Sequence, residues 1–173
     1  MSSQDIAPEV FTADYVGEPG ERTFYLQVRT ASASSTLLAE KEQVAVLADK
    51  LRELLVLVDS ADTVLASTPA RDPALRLAPP LEPDWRVGAI GLAYEEDADR
   101  ILIVVQSASN EEEEVLEDEP SVRVVVRRDQ ARAFVLHALA VVAEGRPLCQ
   151  LCGLPMDPTG HVCPASNGHR PSG

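Results

Sequence analysis

Aromatic side chains are scarce in this chain, with one Trp, three Tyr and three Phe among 173 residues. A core must therefore be assembled mainly from Val, Leu, Ala and Ile, and a hydrophobic content of 45% is enough for one domain of ordinary size. Long apolar runs are also missing. No stretch approaches the roughly 18 residues that a membrane-spanning helix needs. Met1 to Val10 has neither a basic flank nor an apolar run, so it does not read as a signal peptide. These absences lead to the expectation of a soluble, cytoplasmic protein.

Positive charge is in short supply. Fifteen Lys and Arg stand against 28 Asp and Glu, a net charge of −13. Beyond residue 148 only Asp157 and Arg170 are charged, and they cancel, so the whole excess lies in residues 1–148. Nucleic-acid affinity comes mainly from neutralising phosphates, and here that contribution has the wrong sign. An anionic membrane surface is disfavoured for the same reason. Motifs of nucleotide and hydrolase chemistry are lacking too: there is no Gly-x-Gly-x-x-Gly, no phosphate-binding loop and no Gly-x-Ser-x-Gly.

What is present has a regular grammar. Phe11–Val16 and Thr23–Val28 alternate like strands around the turn Gly17-Glu18-Pro19-Gly20, and Ser34–Leu38 is a third strand. Glu40–Val58 places Val44, Leu47, Leu51, Leu54, Leu55 and Val58 on one helix face. Five prolines between residues 59 and 84 exclude a long helix or central strand, leaving a connector laid over the surface. The pattern then repeats: Trp85–Tyr94 and Arg100–Gln106 form a hairpin, and Val122–Arg127 follows an acidic loop. Asp129–Glu144 is the second amphipathic helix, stopped by Gly145 and Pro147. The helices even open alike, with Lys41-Glu42-Gln43 against Arg128-Asp129-Gln130. The expected architecture is α+β: a mainly antiparallel sheet from two βββα-like halves, with both helices on it. The body spans residues 1–147, and a small tail occupies 148–173.

That tail holds all three cysteines. Zinc takes four Cys or His ligands in a tetrahedron when its role is structural. Cys149-x-x-Cys152 followed by Gly153 turns two thiolates toward one ion, and Pro155, Pro158 and Gly160 return the chain. His161-Val-Cys163 then presents two residues on one side of an extended segment. The expected ligands are Cys149, Cys152, His161 and Cys163, with His169 the alternative to His161. A redox pair would place Cys-x-x-Cys at a helix N-terminus, where the dipole lowers the thiol pKa, whereas Cys149 follows a helix C-terminus. A closed ligand set of this kind is structural Zn²⁺ rather than catalytic.

The body offers weaker constellations. His137 is its sole histidine, on the flank of the second helix, where packing or exposure accounts for it better than catalysis. The run Glu111–Glu114 lacks the spaced ligands and positioning glycine of a calcium loop, so a solvated loop is the simpler reading. Arg123, Arg127 and Arg128, with Arg86 and Arg100, are candidates for an anion site, and Arg123 and Arg127 share a strand face.

The chain resembles an actinobacterial family of conserved hypothetical proteins, domain of unknown function 3090. The resemblance is carried by Cys149-x-x-Cys152-Gly153, Asp157-Pro158-x-Gly160-His161-x-Cys163-Pro164 and Asn167-Gly168. Gln130-Ala131-Arg132-Ala133-Phe134 and Gly145-Arg146-Pro147 add to it. In that family the position of His169 is often tyrosine, which favours His161. The genes of the resembled family commonly lie beside those of a phosphoglycerate-mutase-like phosphatase and a phosphoinositide-kinase-like protein, implying a shared pathway or complex. The leading expectation is a non-catalytic binding or adaptor protein with a structural zinc, its partner a protein or a small anionic ligand. The alternative is an enzyme acting on a phosphorylated or anionic small molecule through the arginine cluster.

Overall fold

The computed structural model describes residues 5–18, 20–58, 67–108 and 120–144. Contacts divide the chain at Val142, and the architecture below is that of the unit Met1–Val142. Strands β1 (Asp5–Ile6), β2 (Val10–Val16), β3 (Thr23–Arg29) and β4 (Ser34–Ala39) lead to helix α1 (Lys41–Val58). Strands β5 (Trp85–Glu95), β6 (Arg100–Ser107) and β7 (Ser121–Val126) lead to α2 (Arg128–Ala143). The fold is α+β, with a mixed seven-stranded sheet in the order β1-β7-β6-β5-β4-β3-β2. Two contacts in it are parallel, β4 with β5 and β1 with β7, and the remaining pairs are antiparallel.

That order hides a closure. β1 and β2 are the outermost strands, yet only Ala7, Pro8 and Glu9 separate them. A flat sheet of this width would hold its edges about 29 Å apart, whereas four residue steps reach about 14 Å. The sheet therefore curls until its two edges meet. Each seam between the three-stranded halves is short. Leu37 and Leu38 pair with Trp85 and Arg86 at one, and Ile6 and Asp5 with Val124 and Arg123 at the other. α1 follows β4 and packs on β3 and β5. α2 follows β7 and reaches β2, where Phe134 stacks on Phe11 with ring centroids 4.7 Å apart.

The two halves match residue by residue. Cross-strand rows Tyr15-Phe24-Ala39, Ala13-Leu26-Leu37 and Phe11-Val28-Ser35 recur as Tyr94-Ile101-Val126, Leu92-Ile103-Val124 and Ile90-Val105-Val122. The five buried α1 residues, Val44, Leu47, Ala48, Leu51 and Leu55, each have a buried counterpart 87 positions on. Even the caps agree. Gln43 Oε1 accepts from the Glu40 amide, and Gln130 Oε1 from the Arg127 amide. Each glutamine then donates across a seam to the other half: Gln43 to the Val87 and Gly88 carbonyls of β5, Gln130 to that of Pro8 between β1 and β2. One core receives all of this, and its side chains come from both halves of the sheet and both helices. The halves differ mainly in turn lengths. The offset is 79 between β2 and β5, 77 between β3 and β6, and 87 between β4 and β7.

Candidate functional site: an arginine-lined cleft at the start of the second helix

Two polar constellations stand out, and they do different work. The first lies on the face of β2–β4 turned away from the core. Thr12, Gln27 and Thr36 are in register there and fully or almost fully buried. They are covered by the segment around residues 71–78. Thr12 Oγ1 donates to the Leu75 carbonyl at 2.6 Å, and the Gln27 amide both accepts from Ala78 N and donates to Ala78 O. Buried polar groups cost free energy unless partnered, and here the segment supplies the partners.

Asp14 holds the start of this strap. Arg71 grips its carboxylate with two bonds of 3.0 Å, the Tyr15 amide donates at 2.8 Å, and His137 Nε2 lies 3.2 Å away. Burial pushes the Asp14 carboxyl up, but the hydrogen bonds from His137 and Tyr15 and the charge of Arg71 outweigh it. The net result is below the usual carboxylate range. The Asp72 amide donates to His137 Nδ1 at 2.9 Å. An amide can only donate, so the imidazole proton is on Nε2 and faces Asp14. With both ring nitrogens engaged and 1% of the residue exposed, His137 has no lone pair left for a substrate. A histidine–aspartate pair of this kind is a clasp, not a general base.

The second constellation is open. Antiparallel pairing of β6 with β7 aligns Ile101 with Val126 and brings the flanking residues Arg100 and Arg127 to the same end. Both line a cleft of about 530 Å³ with Arg128, Arg132, Asp99 and Asp129. They also line an adjoining cleft of about 450 Å³ with Ala7, Pro8, Glu9, Val125 and Gln130. Four arginines against two aspartates make the first cleft cationic in a chain whose net charge is −13. The α2 N-terminus adds the positive end of a helix dipole.

Several of these charges are committed. Arg128 Nε donates to Asp99 at 2.7 Å and its NH2 to the Tyr94 hydroxyl at 3.1 Å, while that hydroxyl donates to Asp99. The hydrogen bonds from Tyr94 and Arg128 hold the Asp99 carboxyl below its ordinary value. Arg127 grips Asp129 through Nε at 2.9 Å and NH2 at 3.2 Å, and that bond lowers the Asp129 carboxyl in turn. Arg100 has no side-chain hydrogen bond or ion pair among the described residues.

The other two arginines named from sequence lie elsewhere. Arg86, at the start of β5, is 3.6 Å from Glu40 at the opposite seam. Arg123, on the outer face of β7, donates to Asp5 at 2.6 Å. The cleft thus unites Arg100, Arg127 and Arg128, not all five. It also recruits Arg132, whose i, i+4 spacing from Arg128 on the helix was a signal available in the sequence.

A family model covers residues 6–163, nine-tenths of the chain, from the residue that closes the sheet to the last cysteine. The chain belongs to this family, described as protein of unknown function (DUF3090). No match is found among curated proteins, and none among solved structures. The matched span takes in Cys149, Cys152, His161 and Cys163 and leaves out His169. All five expected zinc ligands lie outside the described residues, as does the Glu111–Glu114 run. Among the described residues there is no group of three or more His, Cys, Asp or Glu that could hold a metal ion. Among them, too, no helix is long and apolar enough to cross a membrane.

Proposed function

We propose that the body of this protein binds a small anionic ligand, of phosphate or carboxylate type, in the cleft lined by Arg100 and Arg127. On this reading it acts as a binding or adaptor protein, and its tail holds a structural zinc. The observation that carries the reading is the internal repeat, which supplies a control. By the register offsets, Arg100 corresponds to Thr23, Arg127 to Glu40 and Arg132 to Ala45. The first half folds with the same rows and the same cap without any of these three charges. The arginines are therefore not demanded by the fold, and they gather in one of two equivalent places. An anion there would gain charge-assisted hydrogen bonds from guanidinium groups that already sit at a helix N-terminus.

Titration of the purified protein with inorganic phosphate, followed through the Gln130 and Arg100 amide resonances, tests this. We expect saturable shifts that weaken as salt rises, and roughly tenfold weaker binding in Arg100→Gln, a loss of about 1.4 kcal/mol. Unchanged shifts in an Arg100→Gln, Arg127→Gln double variant would refute the site.

The zinc reading is supported by the donor chemistry and spacing of the tail and by the span of the family match, which favours His161 over His169. Metal analysis is expected to find one zinc per chain, lost on Cys152→Ser or Cys163→Ser and retained in His169→Ala. Absence of zinc from metal-replete preparations would end that reading.

A further inference from the structure

Resting on the anion site, we infer that its ligand is a zwitterion, with an anionic group held by Arg100 and Arg127 and an ammonium group held by Glu9. The two seams of the sheet again serve as each other's reference. At the first seam, Arg86 extends to Glu40. Its counterpart at the second seam is Ala7, and the counterpart of Glu40 is Arg127. A long cationic side chain is thus replaced by a methyl group, and the acid that received it by a base. The cleft of about 450 Å³ lined by Ala7 opens at this second seam. The second seam carries its own guanidinium bridge elsewhere, from Arg123 to Asp5, while the positions equivalent to Arg86 and Glu40 leave space there with the charge reversed.

Glu9 completes the arrangement. Its counterpart by the 79-residue offset is Gly88, at the irregularity in the β5–β6 pairing between Val87 and Ile90. A Cβ there would lie 2.7 Å from the Ser107 carbonyl oxygen, so no side chain fits. At the second seam the first strand is broken between β1 and β2, and the chain carries a glutamate at the break. Its side chain has no hydrogen bond or ion pair among the described residues, although Arg100 and Arg127 line the same cleft. An uncommitted carboxylate and an uncommitted guanidinium face one space without closing on each other. All three changes, Ala7, Glu9 and Arg127, distinguish this seam from its structural twin. A purely anionic ligand would be repelled by Glu9, whereas a ligand with an amine at its far end uses both charges.

Phosphoethanolamine and ethyl phosphate are matched probes, alike in their phosphate and differing in the ammonium group. Titrations of the full chain, read from the same amide resonances, are expected to show phosphoethanolamine binding five- to twentyfold more tightly. Glu9→Gln is expected to erase that preference while ethyl phosphate binds as well as before or better. Arg100→Gln should weaken both probes alike. Equal affinity of the two probes for the unaltered protein would overturn the zwitterion inference and leave the anion site standing. A preference that survives in Glu9→Gln would overturn the role of Glu9. Failure of both probes to bind would remove the anion site and this inference together.

Discussion

His137 Nε2 sits 3.2 Å from Asp14 Oδ2, and the Nδ1 of the same ring accepts the Asp72 amide. One imidazole thus ties α2 to β2 on one side and to the strap on the other. Replacing it leaves a nearly fully buried carboxylate short of a donor and an amide without an acceptor. His137→Ala is expected to cost about 2–4 kcal/mol in urea unfolding. Hydrogen exchange at the Asp72 amide should accelerate more than the global loss of stability explains. A cost under about 0.5 kcal/mol would show that the clasp is dispensable.

The sign of the pH effect follows from Asp14. Its folded-state carboxyl lies below the ordinary value, so folding favours the ionised form. The stabilisation is complete above the unfolded value of about 3.9. It is lost as pH falls through the lower, folded one. Urea midpoints taken from pH 6 down to pH 3 should fall more steeply for the natural chain than for Asp14→Asn. Parallel curves would assign the acid sensitivity to other carboxylates.

Asp129 competes for the cleft from inside the protein. Its carboxylate already takes two donors of Arg127, the position an incoming anion would claim. Asp129→Asn removes that competitor and one negative charge. Phosphate affinity is expected to rise roughly three- to tenfold, or about 0.7–1.4 kcal/mol. A fall in affinity would mean that Asp129 orients Arg127 for the ligand instead of blocking it.

The matched caps predict matched costs. Gln43 and Gln130 each accept a cap amide and donate to a backbone carbonyl across a seam. Gln43→Ala and Gln130→Ala should each lose about 1–2 kcal/mol of unfolding free energy. A twofold or larger disparity would show that one seam carries more of the closure than the other.

Zinc and body should separate. Among the described residues the core cluster runs from Phe11 to Val142, and contacts place the tail in a separate unit from residue 143 on. Cys152→Ser should therefore abolish metal binding while the thermal midpoint of the body shifts by less than about 3 °C, within about 1 kcal/mol for a domain of this size. Collapse of the body on metal removal would make the tail part of its foundation.

Much of this fold was legible from periodicity. The alternation in Phe11–Val16 and the helical spacing from Val44 to Leu55 located β2 and α1, and the repeated grammar anticipated two related halves. β1 was not legible, because Asp5–Ile6 is too short to show a period. The closure and the two parallel seams depend on β1, so they were missed with it. Thr12, Asp14 and Gln27 look like the solvent face of a hairpin. Only the strap, about 50–60 residues away in sequence, buries them. The clasp joins residues 123 positions apart, and local pattern carries no such information. At the cleft, strand pairing united Arg100 with Arg127, whereas Arg86 and Arg123 found the distant acids Glu40 and Asp5 at other places.

The pairing of Asp5 and Ile6 with Arg123 and Val124 has a consequence in time. Asp5 and Ile6 are synthesised 118 residues ahead of Arg123 and Val124 and must wait for them before they find their partners. The first β-hairpin can form on its own, but the ring cannot shut until Val124 has left the ribosome. Contacts this distant along the chain slow folding. Until then the newborn chain holds an open strand edge on β2, where a chaperone or a second nascent chain has its opportunity.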